Sequence, residues 1–104
     1  MKTNVLVVIG VGGIGMAIAK REGAGKIVLL ADINEKMLAL AAQDLRDTGY
    51  IVETQQTDVS SQSSVQTLVS KAASLGNVLQ VVNTAGLSPN MASVEKLLQV
   101  DLLG

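Results

Sequence analysis

The sequence predicts an α/β protein, an open parallel sheet with helices on both faces and its strands in the order 3-2-1-4. Three observations carry that expectation. Strand-like and helix-like hydrophobic periods alternate along the whole chain. The 48% apolar content is almost purely aliphatic, with Tyr50 the single aromatic, as suits parallel strands covered on both sides. The polar residues with chemical potential, Gly10, Asp32, Asp58 and Asn83, all fall at the carboxyl ends of predicted strands, where ligands bind in open α/β sheets.

The elements follow in order. Val5 to Ile9 is a continuous apolar run and reads as a buried strand. Gly13 to Arg21 reads as a helix whose inner stripe is Ile14, Ala17 and Ile18 with Arg21 at its edge, stopped by Gly23-Ala24-Gly25. Ile27 to Ala31 is a second buried strand, ended by Asp32. Asn34 can cap a helix carrying Met37, Leu38, Ala41, Ala42 and Leu45 at helical spacing, and Gly49 fits just past its end. Tyr50 to Thr57 is a more polar strand. Ser60 or Ser61 caps a third helix with Val65, Leu68, Val69 and Ala72 inward, closed by Gly76. Val78 to Thr84 is a fourth strand. After the loop Ala85 to Ala92, Ser93 opens a fourth helix bearing Val94, Leu97, Leu98 and Leu102. Met16, Met37 and Met91 read as filler of the core or its edge. No linker or repeat divides residues 1–104, which form one domain. Right-handed crossovers then make the sheet Rossmann-like, with its ligand cleft where the strand order reverses between strands one and four.

The strongest motif is Gly10-x-Gly12-x-x-Gly15 between the first strand and first helix, with Asp32 placed 22 residues after Gly10. Gly10 permits a tight turn, Gly12 clears a side chain from the path of a pyrophosphate, and Gly15 lets the helix lie close to the sheet. The helix N-terminus presents unpaired N–H groups and the positive end of its dipole. Asp32 can accept hydrogen bonds from the adenosine ribose hydroxyls, or serve as an ordinary acid ahead of the second helix. Chance could place such a motif in a chain with 10 glycines. A secretory signal peptide ending at Ala17-Ile18-Ala19 is another reading, opposed by Gly10, Gly12, Gly13 and Gly15 within its apolar part.

Composition excludes other classes. The net charge is −1 without a basic cluster, and there are no aromatic stacking platforms, so nucleic-acid binding lacks its footprint. The absence of cysteine and histidine removes disulfides, thiolate chemistry, the usual zinc ligands and a histidine base. The longest apolar stretch, Val5 to Ala19, is too short to span a bilayer. A cytoplasmic location without membrane contact is the expectation.

Four segments resemble the N-terminal part of a short-chain dehydrogenase/reductase. Gly13-Ile14-Gly15 is similar to the end of that family's glycine motif. Asp58-Val59 followed by Ser60 resembles the pair that contacts adenine after strand three. Asn83-Thr84-Ala85-Gly86 resembles the Asn-Asn-Ala-Gly motif, whose asparagine supports the sheet and whose glycine backs the cofactor. Val100-Asp101-Leu102-Leu103-Gly104 resembles the Val-Asn-Leu-x-Gly segment of helix four. The resemblance implies a dinucleotide seat from Gly10, Gly12, Gly13, Ile14, Gly15, Asp32, Ile33, Asp58, Val59, Asn83, Ala85 and Gly86. From the residues themselves, Asp58 can also be a helix cap and Asn83 a fastener between strands. In the family, a tyrosine beside a lysine exchanges a proton with an alcohol or ketone while hydride passes to or from nicotinamide.

Departures from the family pattern are informative. Ile9-Gly10 stands where the family has Thr-Gly, the loop is one residue shorter, and no threonine hydroxyl is expected to brace it. Asp101 occupies the position of a catalytic asparagine. The family's serine and Tyr-x-x-x-Lys would fall beyond residue 104, and Tyr50 is followed at the fourth position by Thr54, so Tyr50 is structural. The fold is thus expected to be cut short after helix four, the chain alone inactive, and strand four an unprotected edge, with self-association through strand four or helix four. Asp32, with no cation at Ile33, Asn34 or the glycine loop, favours NAD over NADP, because a 2′-phosphate normally recruits arginine or lysine. Two other functions fit the motif. One is a freestanding NAD- or nucleotide-sensing regulatory module without catalysis. The other is a methyltransferase binding S-adenosylmethionine, disfavoured by the apolar Val8 and Ile9 before the loop.

Overall fold

The computed structural model describes residues 3–84 and the backbone of Leu102 and Leu103. Its elements are β1 (Asn4–Ile9), α1 (Gly13–Glu22), β2 (Ile27–Asp32), α2 (Glu35–Asp47), β3 (Ile51–Gln56), α3 (Gln62–Leu75), β4 (Asn77–Asn83) and β5 (Leu102–Leu103). All neighbouring strands are parallel, in the order β3-β2-β1-β4-β5, which contains the expected 3-2-1-4.

β1 lies between β2 and β4 and is buried on both faces, which is why its sequence is an unbroken apolar run. Successive side chains of a strand point to opposite faces. Leu6 and Val8 accordingly join Val28, Leu30, Val52 and Val82 under α1 and α2. Val5, Val7 and Ile9 join Leu29, Ala31 and Val81 under α3. The chain steps from β1 to β3 in one direction with helices on one face. It then returns across β1 through α3 on the other, as right-handed crossovers demand. Each fully buried leucine or valine side chain contributes about 1.5–3 kcal/mol of apolar transfer free energy.

Caps fix the helix limits. The Asn34 side chain accepts from Met37 N at 3.1 Å, and Ser61 Oγ accepts from Ser64 N at 3.3 Å. At the end of α2, Gly49 N donates to Arg46 O and Tyr50 N donates to Leu45 O, with Gly49 at φ +96°. That pairing is a Schellman closure, and it explains the glycine at this position. Tyr50 is a structural residue, its hydroxyl donating to Lys20 O at 2.6 Å.

Several expectations are corrected. In α1 the buried positions are Gly15 and Ala19, with Met16 and Ile18 packed at the core edge, while Ile14 and Ala17 are exposed. The close approach of Gly15 to the sheet, rather than the bulk of isoleucine, sets the helix rotation. Met37 is exposed instead of filling the core. Leu102 lies on a strand, not a helix: Leu102 and Leu103 pair with Val81 and Val82. Backbone groups at the edge of β4 take up partners there, and that tertiary pairing overrides helical spacing. The sheet therefore does not end at a bare β4. The rest of the expected fourth helix, with Asp101, and the loop residues Ala85 and Gly86 lie outside the described residues.

The ladder between β1 and β4 is irregular near its base. Val5 pairs with Val78 but Leu6 pairs with Gln80, so Leu79 is an extra residue, a bulge in β4. Beyond it the register runs to Ile9 opposite Asn83.

Gly49→Ala isolates the cost of backbone conformation, since an added Cβ there meets nothing within 4 Å. The expected loss is about 1–2 kcal/mol in urea-unfolding stability, from the positive φ alone.

Candidate functional site

The register brings the carboxyl ends of four strands into one row, and the ladder continues one step past the strands. Gly10 N donates to Ala31 O at 2.7 Å, Thr84 N to Ile9 O at 2.8 Å and Thr57 N to Asp32 O at 2.9 Å. Above this row lies a groove of about 380 Å³ lined by Gly10, Gly12, Gly13, Ile14, Gly15, Asp32, Met37 and Thr84. The groove thus gathers all five residues singled out in the glycine loop with the acid at the end of β2.

The glycines of the loop are glycine for different reasons. A Cβ at Gly15 would collide with the Gly10 carbonyl oxygen, so α1 can rest on the turn only without a side chain there. Gly12 and Gly13 show no such need: an added Cβ would meet nothing within 4 Å, and neither has a positive φ. Gly12 caps α1 without a side-chain hydrogen bond, and the first turn holds no acidic residue. The helix therefore faces the groove with its N–H groups and positive dipole end uncompensated by side chains.

Asp32 sits on the rim, partly exposed. Its Oδ2 accepts from Val11 N at 3.1 Å and its Oδ1 from Asn34 N at 3.0 Å. A carboxylate has about four lone-pair sites, so two bonds leave capacity for hydroxyl donors. Ile33 follows it with an exposed side chain, its carbonyl accepting from Gln56 Nε2 at 3.0 Å. Among the described residues the groove lining includes one carboxylate and no lysine or arginine.

Other expected site residues stand apart from this lining. Asp58 Oδ1 accepts from Ser60 N at 2.9 Å and Ser60 Oγ at 2.6 Å. Those two bonds, the hydroxyl foremost, hold its carboxyl below the ordinary carboxylate range. Asp58 O also accepts from Ser61 N, so the residue closes the turn ahead of α3. Val59 packs against the α3 side of the core. Asn83 is buried at the end of β4, paired in register with Ile9.

Two lining residues were not expected. Met37 lies three residues past the Asn34 cap, and that spacing was the available signal. Thr84 donates its hydroxyl to Ile9 O at 3.0 Å and Gly10 O at 2.9 Å. The expectation that no threonine hydroxyl braces the glycine turn is therefore wrong. The brace comes from the end of β4 rather than from the motif's own first position, where Ile9 stands.

A second depression, of about 420 Å³, lies at the other end of the sheet between Gly23–Lys26 and Thr48–Ile51. Its polar side chains are internally bound, Lys26 Nζ to Glu22 O and Tyr50 Oη to Lys20 O. Among the described residues, no group of histidine, cysteine, aspartate and glutamate could hold a metal ion. No described helix is long and apolar enough to cross a membrane.

Comparison with known proteins places the whole chain. A family model described as short chain dehydrogenase covers residues 3–103. The chain belongs to the short-chain dehydrogenase family. It is 46% identical, over its full length, to short-chain dehydrogenase/reductase bsc3 of Alternaria brassicicola, and covers 38% of that protein. It is 33% identical to 3beta-hydroxysteroid dehydrogenase 2 of Eggerthella lenta over 89% of this chain and 40% of the relative. The chain thus spans about two-fifths of the length of these two relatives. Among solved structures, actinorhodin polyketide ketoreductase F189W with NADPH superimposes with a TM-score of 0.75 at 32% identity, over 82% of this chain and 34% of that one. A short-chain dehydrogenase/reductase from Burkholderia phymatum in complex with NAD gives a TM-score of 0.70 at 32% identity, over 77% and 30%.

The glycines yield a separable prediction. Gly15→Ala forces α1 off the turn and lowers stability by more than about 1 kcal/mol, the scale of overpacking a tight contact. Gly12→Ala lowers it less, because an added Cβ there meets nothing within 4 Å among the described residues and the cost is confined to the helix cap. Paired urea-unfolding curves distinguish the two effects.

Proposed function

We propose that this chain provides the dinucleotide seat of an NAD-dependent oxidoreductase that acts on alcohol and ketone groups, and that alone it binds the cofactor without turnover. One observation carries the reading. Among the described residues a Cβ at Gly12 or Gly13 would meet nothing within 4 Å and neither has a positive φ, yet both line a groove that also holds the Asp32 carboxylate. The diphosphate then lies over Gly10, Gly12, Gly13, Ile14 and Gly15 at the start of α1. Asp32 and Ile33 take the adenosine ribose, and the Asp58–Val59 turn borders adenine. Asn83 fastens the strand ends beneath the cofactor, and the family resemblance assigns Ala85 and Gly86 to the same seat. When bound, the nicotinamide supplies or accepts hydride. No residue of this chain is assigned to the proton transfer; Asp101 stands at the family's asparagine position, where a carboxylate cannot donate as an amide does.

NAD is favoured over NADP on charge. Asp32 and a 2′-phosphate would repel, and among the described residues no cation lines the groove to offset them. Of two solved relatives, one holds NADPH and the other NAD, and in this chain the carboxylate at the end of β2 supports the reading of NAD. A cytoplasmic location and self-association complete the proposal. For assembly, Asn77 to Gln80 of β4 has no strand partner on its β5 side among the described residues and offers ladder groups to a second copy.

Equilibrium titration with NADH, NADPH and S-adenosylmethionine tests this function. NADH binds, NADPH binds at least about tenfold more weakly, and S-adenosylmethionine does not compete. Asp32→Ala weakens NADH binding and narrows the NADH:NADPH ratio of affinities; an unchanged ratio would refute the charge assignment. Incubation of the pure chain with NAD and a panel of secondary alcohols yields no NADH absorbance, and turnover there would refute the division of labour proposed.

A further inference from the structure

Two side chains from different strands hold opposite ends of one peptide group. The carbonyl of Gly10 accepts from Thr84 Oγ1 at 2.9 Å, and the N–H of Val11 donates to Asp32 Oδ2 at 3.1 Å. That carbonyl and that N–H belong to the same planar unit. We propose that Thr84 and Asp32 together lock the Gly10–Val11 peptide in one orientation, which makes Thr84 a positioning residue of the groove and gives Asp32 a second task besides ribose contact. The proposal rests on the dinucleotide reading of the groove and adds to it the device that shapes the phosphate turn.

The need for a lock comes from the turn itself. Gly10 has φ +95°, and glycine populates both signs of φ at little cost, so the peptide beside it resists rotation little by itself. Rotation by half a turn would aim the Gly10 oxygen at the Asp32 carboxylate, acceptor against acceptor. It would also turn the Val11 N–H toward Thr84. In the observed orientation both ends are satisfied. The Ile9 carbonyl shares the Thr84 hydroxyl at 3.0 Å but also receives Thr84 N at 2.8 Å. The Gly10 carbonyl has no second partner among the described residues, so it depends on the hydroxyl.

The orientation matters beyond the turn. The Gly10 oxygen is the atom that a Cβ at Gly15 would strike, so it defines how closely α1 approaches. A carbonyl displaced by rotation would lift or tilt the helix start that faces the groove. A Cβ at Gly15 would also come within 3.1 Å of Thr84 Oγ1, so hydroxyl, carbonyl and helix meet at one point. Asp32 thus links the ribose end of the groove to its phosphate end through a single peptide.

The test uses hydrogen exchange and NADH titration on this chain and its variants Thr84→Val, Thr84→Ser and Asp32→Ala. Thr84→Val keeps the side-chain shape and removes the hydroxyl. The Val11 amide is expected to exchange roughly tenfold faster in Thr84→Val relative to the central amides of Val7 and Leu29, which report global unfolding. NADH binding falls by a similar factor, and Thr84→Ser restores both. Thr84→Val combined with Asp32→Ala accelerates Val11 exchange less than the product of the two single effects, because either change frees the same peptide. Val11 exchange that is unaltered in Thr84→Val, or strictly multiplicative in the double variant, overturns the lock. Should the unmodified chain bind no NADH, the dinucleotide reading falls, while the exchange measurements still decide the lock. Should Thr84→Val fail to fold, Thr84→Ser and Asp32→Ala carry the same comparison. Val11 exchange faster than wild type in Asp32→Ala and preserved in Thr84→Ser then supports the lock, and any other pattern overturns it.

Discussion

Where α1 begins, backbone rests on backbone: the helix meets the Gly10 carbonyl at Gly15, with no room for a Cβ between them. Much of the structure depends on this contact. It rotates α1 so that Gly15 and Ala19 face the sheet and Ile14 faces outward onto the groove rim. It holds the start of the helix low over the end of β1, so that Gly12 and Gly13 become the floor of an open trough. It also places the turn within reach of a hydroxyl just past β4 and a carboxylate at the end of β2. A larger residue at this single position would separate all of these features at once.

The groove that results has a divided electrostatic character. Its floor is a helix start with no capping side chain and no nearby acid in the first turn, which suits a diphosphate. Its rim carries Asp32, which suits neutral hydroxyl donors and disfavours a further anion. Both features are fixed by the same few residues, because the carboxylate that rejects charge at the rim also accepts a bond from the floor's own backbone. The membership of the short-chain dehydrogenase family is consistent with this arrangement, but the arrangement itself comes from the residues.

The sequence made most of the scaffold legible because its signals are local. Unbroken apolar runs mark strands buried on both faces, and Asn34, Ser61 and Gly49 mark helix limits by hydrogen bonds made within a few residues. What failed depended on distant partners. Ile14 and Ala17 have the spacing of an inner stripe, but the contact of Gly15 with a turn three residues upstream of the helix overrode side-chain bulk. Leu102 continues a helical spacing, yet it pairs with Val81, a residue far from it in sequence. Thr84 stood within the Asn83-Thr84-Ala85-Gly86 segment but without a role of its own; its hydroxyl matters because strand pairing sets it beside Gly10. Met37 was read as filler because periodicity does not distinguish a residue under a helix from one beside a cleft.

The extra residue at Leu79 gives β4 two registers on β1. Below it, Asn77 is tied to Thr3 and Asn4; above it, Asn83 is tied to Ile9. The bulge behaves as a slip joint between an anchored base and an anchored tip. A strand shortened by one residue near its base could close the joint and leave every atom around the glycine turn where it is. The upper part of this sheet is thereby insulated from length changes at its foot, a tolerance that an uninterrupted ladder would not allow.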